Sequence, residues 1–134
     1  MIKEISLSTK ERNELIDVTS EVKKIVNESG IKEGLCVVYC PHTTAAITIN
    51  ESADPDVQTD IINHLNKLVQ ESQEFKHAEG NADSHIKSSI IGCSETLIIK
   101  DNKLVLGTWQ GVMFMEADGP RNNRKVIVSV IPSD

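Results

Sequence analysis

The chain has 134 residues, 39% of them hydrophobic and 25% charged, which is the size and composition of one globular domain covering residues 1–134. Its formal net charge of −6 and its four aromatic residues (one Trp, one Tyr and two Phe) exclude the basic, aromatic-rich surface of a nucleic-acid-binding protein. No apolar run approaches the roughly 20 residues that span a bilayer, and the N-terminus lacks the apolar segment of a signal peptide. We therefore expect a cytoplasmic protein with neither nucleic-acid nor membrane partners.

The first half of the chain alternates between strand and helix patterns. Alternating apolar and polar residues predict strands at 2–9 and 14–18. Thr19 or Ser20 is a suitable N-cap for a helix that carries apolar residues at helical spacing, and Gly30 is a typical C-terminal stop. Residues 34–50 contain two strand-like stretches interrupted at Pro41.

The stretch after Pro41 has one apolar and one polar face. Alternate residues of a strand point to opposite sides, so one side can pack on a core while the other meets solvent, a cavity or a partner subunit. The polar side carries His42, Thr44, Ala46, Thr48 and Asn50.

A second helix should begin at Asp54-Pro55, an N-cap residue followed by proline at the first helical position. Apolar residues at helical spacing, among them Ile61 and Leu65, extend this helix to about Gln70. Residues 71–85 are too polar to belong to a core, and residues 86–91 form a short helix that ends at Gly92.

The last third predicts strands at 96–100, 103–106, 109–117 and 125–131, with Asp101-Asn102 as the turn of a hairpin. Strands separated by isolated helices, then a run of strands, indicate an α+β domain with a largely antiparallel sheet and two main helices. The glycine motifs of nucleotide-binding folds are absent from the sequence.

Three clusters of polar residues carry the candidate chemistry. The first, residues 40–57, places His42, Thr44 and Asn50 on one strand face, followed by Glu51 and the helix start at Asp54. The aspartates at this helix start would repel a phosphate, so they either cap the helix or bind a hard cation such as Mg²⁺.

The second cluster, residues 77–85, contains two of the four histidines together with Glu79 and Asp83. Imidazole and carboxylate groups are natural ligands of zinc, although this spacing matches no zinc signature. We predict that His77 and His85 bind a divalent metal with His42 as third ligand and Glu116 as the alternative. A solvated loop, or metal-free acid–base histidines, remain open.

The third cluster, residues 107–124, has Glu116 and Asp118 two positions apart at a strand end, where both can face one side about 7 Å apart. Arg121 and Arg124 follow, and guanidinium groups suit phosphate or carboxylate recognition. A salt-bridged hairpin end is the alternative. Trp109 is expected in the core.

Three segments together, CPHTTAAITINESADPDV, HAEGNADSHIKSSIIGCS and LGTWQGVMFMEADGPRNNRKVIV, resemble the YjbQ family over nearly the whole chain. The resemblance implies a compact α+β fold with a twisted antiparallel sheet, a homotrimer, and a polar pocket formed by the histidine-bearing segments. The activity associated with the family is thiamine-phosphate synthesis, in which a pyrimidine methyl diphosphate loses diphosphate and the nitrogen of a thiazole phosphate attacks the resulting cation.

The residues expected to carry this chemistry follow from the resemblance and the three clusters. The expected cofactor is zinc or magnesium, and Glu51, Asp56 or Glu116 are candidate magnesium ligands. The expected catalytic residues are His42, Glu51, His77, His85 and Glu116, and the residues expected to bind substrate are Thr43, Thr44, Asn50, Asn81, Gln110, Arg121 and Arg124.

Three functions remain open from the sequence. The first is an enzyme acting on a small phosphorylated metabolite, with thiamine-phosphate synthesis as its reaction or as a side activity. The second is a metal-dependent hydrolase that uses His77 and His85. The third is a non-catalytic module that binds a small anion.

Overall fold

The computed structural model describes residues 1–71 and 74–134. Their strands and helices follow in the order β1 (Ile2–Leu7), β2 (Glu14–Asp17), α1 (Thr19–Ser29), β3 (Gly34–Tyr39), β4 (Ala45–Glu51), α2 (Pro55–Leu68), α3 (Ala82–Ile91), β5 (Ser94–Lys100), β6 (Lys103–Leu104), β7 (Gln110–Glu116) and β8 (Arg124–Pro132).

The strands form two sheets with antiparallel pairing throughout. The larger sheet has the order β1-β8-β3-β5-β6, and the smaller has the order β2-β7-β4. The chain passes between the sheets where β3 ends at Tyr39 and β4 begins at Ala45, so the intervening segment with Pro41 and His42 lies at their junction. The predicted α+β class and the antiparallel pairing are confirmed.

The main core lies between the two sheets, where alternate residues of facing strands meet. The larger sheet contributes residues such as Val38 and Val128, the smaller contributes Ile47 and Phe114, and α1 contributes Val22. All five are inaccessible to solvent. Burial of side chains of this size stabilises the fold by roughly 1.5–3 kcal/mol each.

The outer face of the smaller sheet is covered by α2 and α3. Ala46 and Met115 on this face are buried against Ile62, Leu65 and Ile91 of the two helices. The face of β4 that was predicted to be polar is therefore polar only toward Asn50, because the two helices cover the same face at Ala46.

The third helix is the main difference from the sequence prediction. It begins at Ala82 instead of residue 86, so the polar stretch 71–85 includes buried structure, although Ser72 and Gln73 lie outside the described residues. Ser84 donates to the carbonyl oxygen of Ala117 at 2.5 Å, and Ser88 donates to that of Ala45 at 2.6 Å. These bonds satisfy buried hydroxyls, so polar residues enter the interior without an orphaned partner.

Local sequence signals predicted the ends of the first two helices in part. The N-cap predicted for α1, Thr19 or Ser20, is wrong, because both residues lie inside the helix and Val18 holds the cap position without a side-chain hydrogen bond. Gly30 adopts a left-handed conformation after α1, and the Asp54 carboxylate accepts from the backbone N–H of Asp56 at 2.9 Å. Asp101 and Asn102 have φ of 53° and 60°, the positive values that a tight hairpin turn requires. Trp109, expected in the core, is 62% exposed, so that prediction is wrong. Within the described residues, no helix has the length and apolarity needed to cross a membrane.

Candidate active site

A buried ion pair lies where β7 ends and β8 begins. The Glu116 carboxylate is inaccessible to solvent and accepts from Arg124 through both oxygens, from Nε at 2.9 Å and from Nη2 at 2.5 Å. It also accepts from Thr9 Oγ1 at 2.7 Å and from the backbone N–H groups of Ala117 and Asp118 at 3.1 Å each. Five donors therefore surround this one carboxylate.

This pair changes the expected roles of three residues. Burial alone would raise the pKa of Glu116, but the hydrogen bonds from Arg124, Thr9 and the Asp118 backbone outweigh it and lower the pKa. A buried, ionised and saturated carboxylate is not available as a catalytic base or as a metal ligand. Arg124 is likewise committed, because Nη2 also donates to Thr44 Oγ1 at 2.9 Å. In this structure neither Arg124 nor Thr44 is open to a substrate phosphate.

A second ion-pair network continues from Asp118. Its carboxylate accepts from Asn81 Nδ2 at 2.9 Å, from Arg121 Nη2 at 2.8 Å and from Arg12 Nη1 at 3.3 Å. Burial acts to raise the pKa of Asp118, and the hydrogen bonds from Asn81 and Arg121 together with the arginine charges lower it overall. Arg121 remains about half exposed. It is therefore the accessible member of the predicted arginine pair.

His42 lies beside these arginines and has a defined tautomer. Its Nε2 accepts the backbone N–H of Lys125 at 2.9 Å. Because an accepting nitrogen carries no proton, the neutral ring holds its proton on Nδ1. Burial lowers the pKa of His42, and the charge of Arg124 lowers it further. The ring is therefore biased toward the neutral form, in which Nδ1–H is a hydrogen-bond donor.

An open pocket of about 520 Å³ lies beside the segment that connects β3 and β4. It is lined by Thr43, His85, Ser88, Ser89, Gly92 and Cys93. The backbone N–H of Cys40 donates to the carbonyl oxygen of Cys93 at 2.7 Å, which fixes the end of β3 against the start of β5. Thr43, three residues after Cys40, lies at the pocket wall, and His42 precedes it in the chain.

His77 and His85 lie side by side. Their ring centroids are 5.2 Å apart in an edge-to-face arrangement, and His77 Nε2 lies 3.7 Å from Glu79 Oε2. Because His85 also lines the pocket, one imidazole pair connects the polar segment before α3 with the pocket. His77 precedes α3 and His85 lies within it, whereas His42 lies at the β3–β4 junction.

The predicted three-histidine metal site is not assembled here. Across residues 1–71 and 74–134, no three His, Cys, Asp or Glu side chains form a group that could hold a metal ion. His77 and His85 provide two adjacent imidazoles, but His42 directs Nε2 to the Lys125 backbone. The donor set therefore does not fit the expected resident metal within one chain, and no chemical step is routed through a metal below.

Three other predicted site residues lie at the opposite end of the smaller sheet. Glu51 pairs with Gln110 and Asn50 with Gly111, whereas Glu116 pairs with Ala45, six residues away. At about 3.3 Å per residue this separation is roughly 20 Å. One chain therefore does not bring Glu51, Asn50 or Gln110 to the histidine pocket.

The sequence reasoning missed two charged residues near the site, Arg12 and Lys87. Arg12 contacts Asp83 Oδ1 at 3.1 Å as well as Asp118, and it lies 3.5 Å from Glu71. Lys87 is 2% exposed, and burial lowers its pKa. The available signal was the spacing of Asp83 and Lys87, which puts opposite charges one turn apart on the same face of a helix. It was missed because this part of the helix was predicted to be a loop.

The chain matches the family model described as UPF0047 protein YjbQ-like over residues 3–133. The chain belongs to the YjbQ family. Among its relatives are a UPF0047 protein of Methanocaldococcus jannaschii, 52% identical over 131 residues with 98% of this chain and 94% of that protein covered, and the UPF0047 protein YugU of Bacillus subtilis, 47% identical over 122 residues with 90% and 92% covered.

Solved structures of the YjbQ family have the same fold. An uncharacterized conserved protein from Clostridium acetobutylicum is 53% identical and superposes with a TM-score of 0.94, with 96% of this chain and 99% of that chain covered. A protein of unknown function from Sulfolobus solfataricus is 34% identical, with a TM-score of 0.96 and coverage of 99% and 97%. These relatives establish family and fold, and the site geometry carries the functional argument.

Proposed function

We propose that the protein is a small cytoplasmic enzyme that acts on a phosphorylated metabolite in the pocket lined by Thr43 and His85. The observation that carries the proposal is an open pocket that is lined by hydroxyl groups and the His85 imidazole, next to the segment that carries His42. Thr43 and Ser89 offer hydroxyl groups at its wall, and both are exposed. His42 is adjacent in sequence and contributes an Nδ1–H donor.

The charges near His42 favour an anionic ligand. The Arg124 and Arg121 charges lower the pKa of His42 in addition to the effect of burial, while the Glu116 charge acts in the opposite direction. The positive charges that disfavour a protonated histidine at this place would stabilise a phosphate bound there. Arg121 is half exposed and pairs with Asp118 in this structure, so the proposal requires it to leave Asp118 in order to contact the ligand.

Proton transfer is assigned to His85. His42 is bound to the Lys125 backbone through the nitrogen that a base would use, so its role is to donate through Nδ1–H. His85 lines the pocket directly and contacts His77 edge-to-face. His77 then positions the His85 ring without contacting the substrate. Positioned general acid–base groups contribute roughly 10²–10⁴-fold to rate.

Thiamine-phosphate synthesis is the specific reaction that the family resemblance suggests, and it belongs first in the substrate panel. In that reaction the carbon–oxygen bond to the diphosphate breaks and a carbon–nitrogen bond to the thiazole forms. The leaving diphosphate would need positive charge beside it, for which Arg121 and the His42 Nδ1–H are the accessible groups. The buried Arg124 contributes through its charge alone.

The test uses tag-free protein and a panel of phosphate monoesters and diphosphates, including the pyrimidine diphosphate with the thiazole phosphate, followed by phosphorus NMR. We expect turnover of at least one member, with His85→Ala reducing kcat by about 100-fold or more. The matched control is His64→Ala, an exposed histidine on α2 outside this pocket. Turnover that is unaffected by His85→Ala would contradict the assignment, and binding without turnover would favour a non-catalytic anion-binding module.

A metal-dependent hydrolase remains the second candidate, and one observation favours it. His77 and His85 already stand with ring centroids 5.2 Å apart, so a small rotation would direct two nitrogens at one ion. Within the described residues no third ligating side chain lies with these two histidines, so the third ligand would have to come from elsewhere. Stoichiometric zinc in tag-free protein that His77→Ala or His85→Ala removes would establish this alternative.

We also propose that the chain assembles as a homotrimer, as the family resemblance implies. The outer face of the larger sheet supports self-association. Leu35 pairs with both Ile98 and Ile131 across neighbouring strands, and these three residues are 39%, 55% and 45% exposed. Tyr39 on the same strand is 42% exposed. A contiguous apolar patch of this kind on a soluble domain typically marks an interface.

A further inference from the structure

A second cleft, of about 690 Å³, lies on the other side of α3. It is lined by Asn13, Asn66, Gln70, Glu71, Gly80, Asp83 and Lys87, and it shares no lining residue with the histidine pocket. Asp83 and Lys87 are one helical turn apart and face this cleft, whereas His85, Ser88 and Ser89 face the pocket. The helix therefore separates two sites.

Lys87 determines how the neighbouring amides are oriented. Its Nζ donates to Asn66 Oδ1 at 2.5 Å and to Asn13 Oδ1 at 3.1 Å. An ammonium group can only donate, so both amides must turn their oxygens to it. Their NH₂ groups then point away from Lys87, and they provide fixed donors for a ligand in the cleft.

One acceptor in the cleft wall has no hydrogen-bond partner within the described residues, and one N–H of Lys87 meets only that distant acceptor. An ammonium has three N–H bonds, and two of those on Lys87 go to the asparagines. Asp83 Oδ2 lies 3.8 Å from Nζ, which is within ion-pair distance but too long for a hydrogen bond. Asp83 is 1% exposed, and within the described residues its Oδ2 has no hydrogen-bond partner. Buried polar atoms without partners are uncommon and require explanation.

The charges around the cleft balance. Lys87 and Arg12 are the cations, and Asp83 and Glu71 are the anions that line the cleft. Arg12 also contacts Asp118, whose charge is matched by Arg121. A phosphate or carboxylate would meet these two carboxylates, and an ammonium ligand would meet Lys87. The balance therefore favours an uncharged ligand that both donates and accepts hydrogen bonds.

We propose that this cleft is a binding site for an uncharged polyhydroxylated molecule, a sugar or a smaller polyol. A hydroxyl group can accept from Lys87 Nζ while it donates to Asp83 Oδ2, which satisfies both unmatched atoms at once. A neighbouring hydroxyl then accepts from the outward NH₂ of Asn13 or Asn66. The volume is within the usual range of small-molecule sites. This assignment does not rest on the proposed function of the histidine pocket.

The test is a proton–nitrogen NMR titration of the unmodified protein with D-ribose, D-glucose and glycerol in turn. At least one is expected to shift the side-chain NH₂ signals of Asn13 and Asn66 saturably, with a Kd on the order of 1 mM. 1,2-Dimethoxyethane, which retains acceptors but lacks hydroxyl donors, should leave them unchanged. Absence of saturable shifts with all three polyols would overturn the proposal, as would equal shifts with dimethoxyethane or saturable binding of inorganic phosphate at the same signals.

The matched variants are Asn66→Ala and Asn63→Ala, both exposed positions on α2 and less than one helical turn apart. Asn66→Ala removes a donor to the ligand and is expected to weaken binding about tenfold, which is roughly the effect of one lost hydrogen bond. Asn63→Ala should bind as the unmodified chain does. Equal affinity in both variants would overturn the site. If Asn66→Ala does not fold, the titration of the unmodified protein decides alone.

Discussion

The substitution Glu116→Gln tests the buried ion pair on which the site depends. It retains the size of the side chain, removes its charge, and leaves Arg124 ionised with its side chain only 7% exposed. Breaking a buried pair by neutralising one partner costs about 3–5 kcal/mol, because the remaining charge is uncompensated. At about 2.1 cal/mol/K per residue, unfolding of a chain of 134 residues has an entropy of roughly 0.28 kcal/mol/K. The melting temperature should therefore fall by about 10–18 °C.

The assay is thermal unfolding by circular dichroism at neutral pH and one fixed protein concentration, since association shifts apparent stability. The control is Glu28→Gln, whose carboxylate is 48% exposed and lies 4.0 Å from Lys24, and it should change the melting temperature by no more than about 2 °C. The double substitution of Glu116 and Arg124 by methionine should recover much of the loss, because no unpaired charge remains. A Glu116→Gln protein that melts within about 2 °C of the unmodified chain would refute this account of the pair.

Four further predictions concern pH, assembly and helix capping. Because the pKa of Glu116 is lowered in the folded state, the unfolded state binds more protons just below pH 4.5. The free energy of unfolding, measured by denaturant titration, should therefore fall as the pH drops through that window. A free energy that does not change with pH there would show that the pair is absent. The ring signals of His42 should titrate with a midpoint below 6.5, and a higher midpoint would remove the neutral-donor assignment. Ile98→Glu should dissociate the trimer in light scattering while Lys24→Glu does not, and a monomeric unmodified chain at micromolar concentration would contradict the assembly. Asp54→Ala should cost about 1 kcal/mol in urea unfolding, and no change would show that the cap is dispensable.

The sequence predicted those parts of the fold that depend on neighbouring residues. Asp54-Pro55 starts α2 because the aspartate side chain satisfies a free backbone N–H and proline has none to satisfy. Gly30 ends α1 because it takes a positive φ without a steric cost. These signals act within a few residues, so the order and approximate bounds of nearly all elements followed from them.

The site could be predicted only in part, because its contacts join distant segments. Sequence spacing indicated that Glu116 and Arg124 lie near each other, but it could not show that five donors would surround the carboxylate, since Thr9 comes from more than 100 residues earlier. The helical pattern of α3 was hidden by Asp83 and Ser84, polar residues that are buried because Arg12 pairs with Asp83 Oδ1 and the Ala117 carbonyl accepts from the Ser84 hydroxyl. Burial of polar groups is a tertiary property, and local composition predicts the opposite.

The proposed function requires that the pocket beside Thr43 and His85 binds a phosphorylated ligand. The most direct measurement is an NMR titration of the unmodified, metal-free protein with inorganic diphosphate, following the His85 ring and the backbone amides of Thr43 and Gly92. The account predicts saturable shifts at these three positions, none at His64, and loss of the shifts in His85→Ala. Diphosphate that leaves these signals unchanged, or that shifts them identically in His85→Ala, would contradict it.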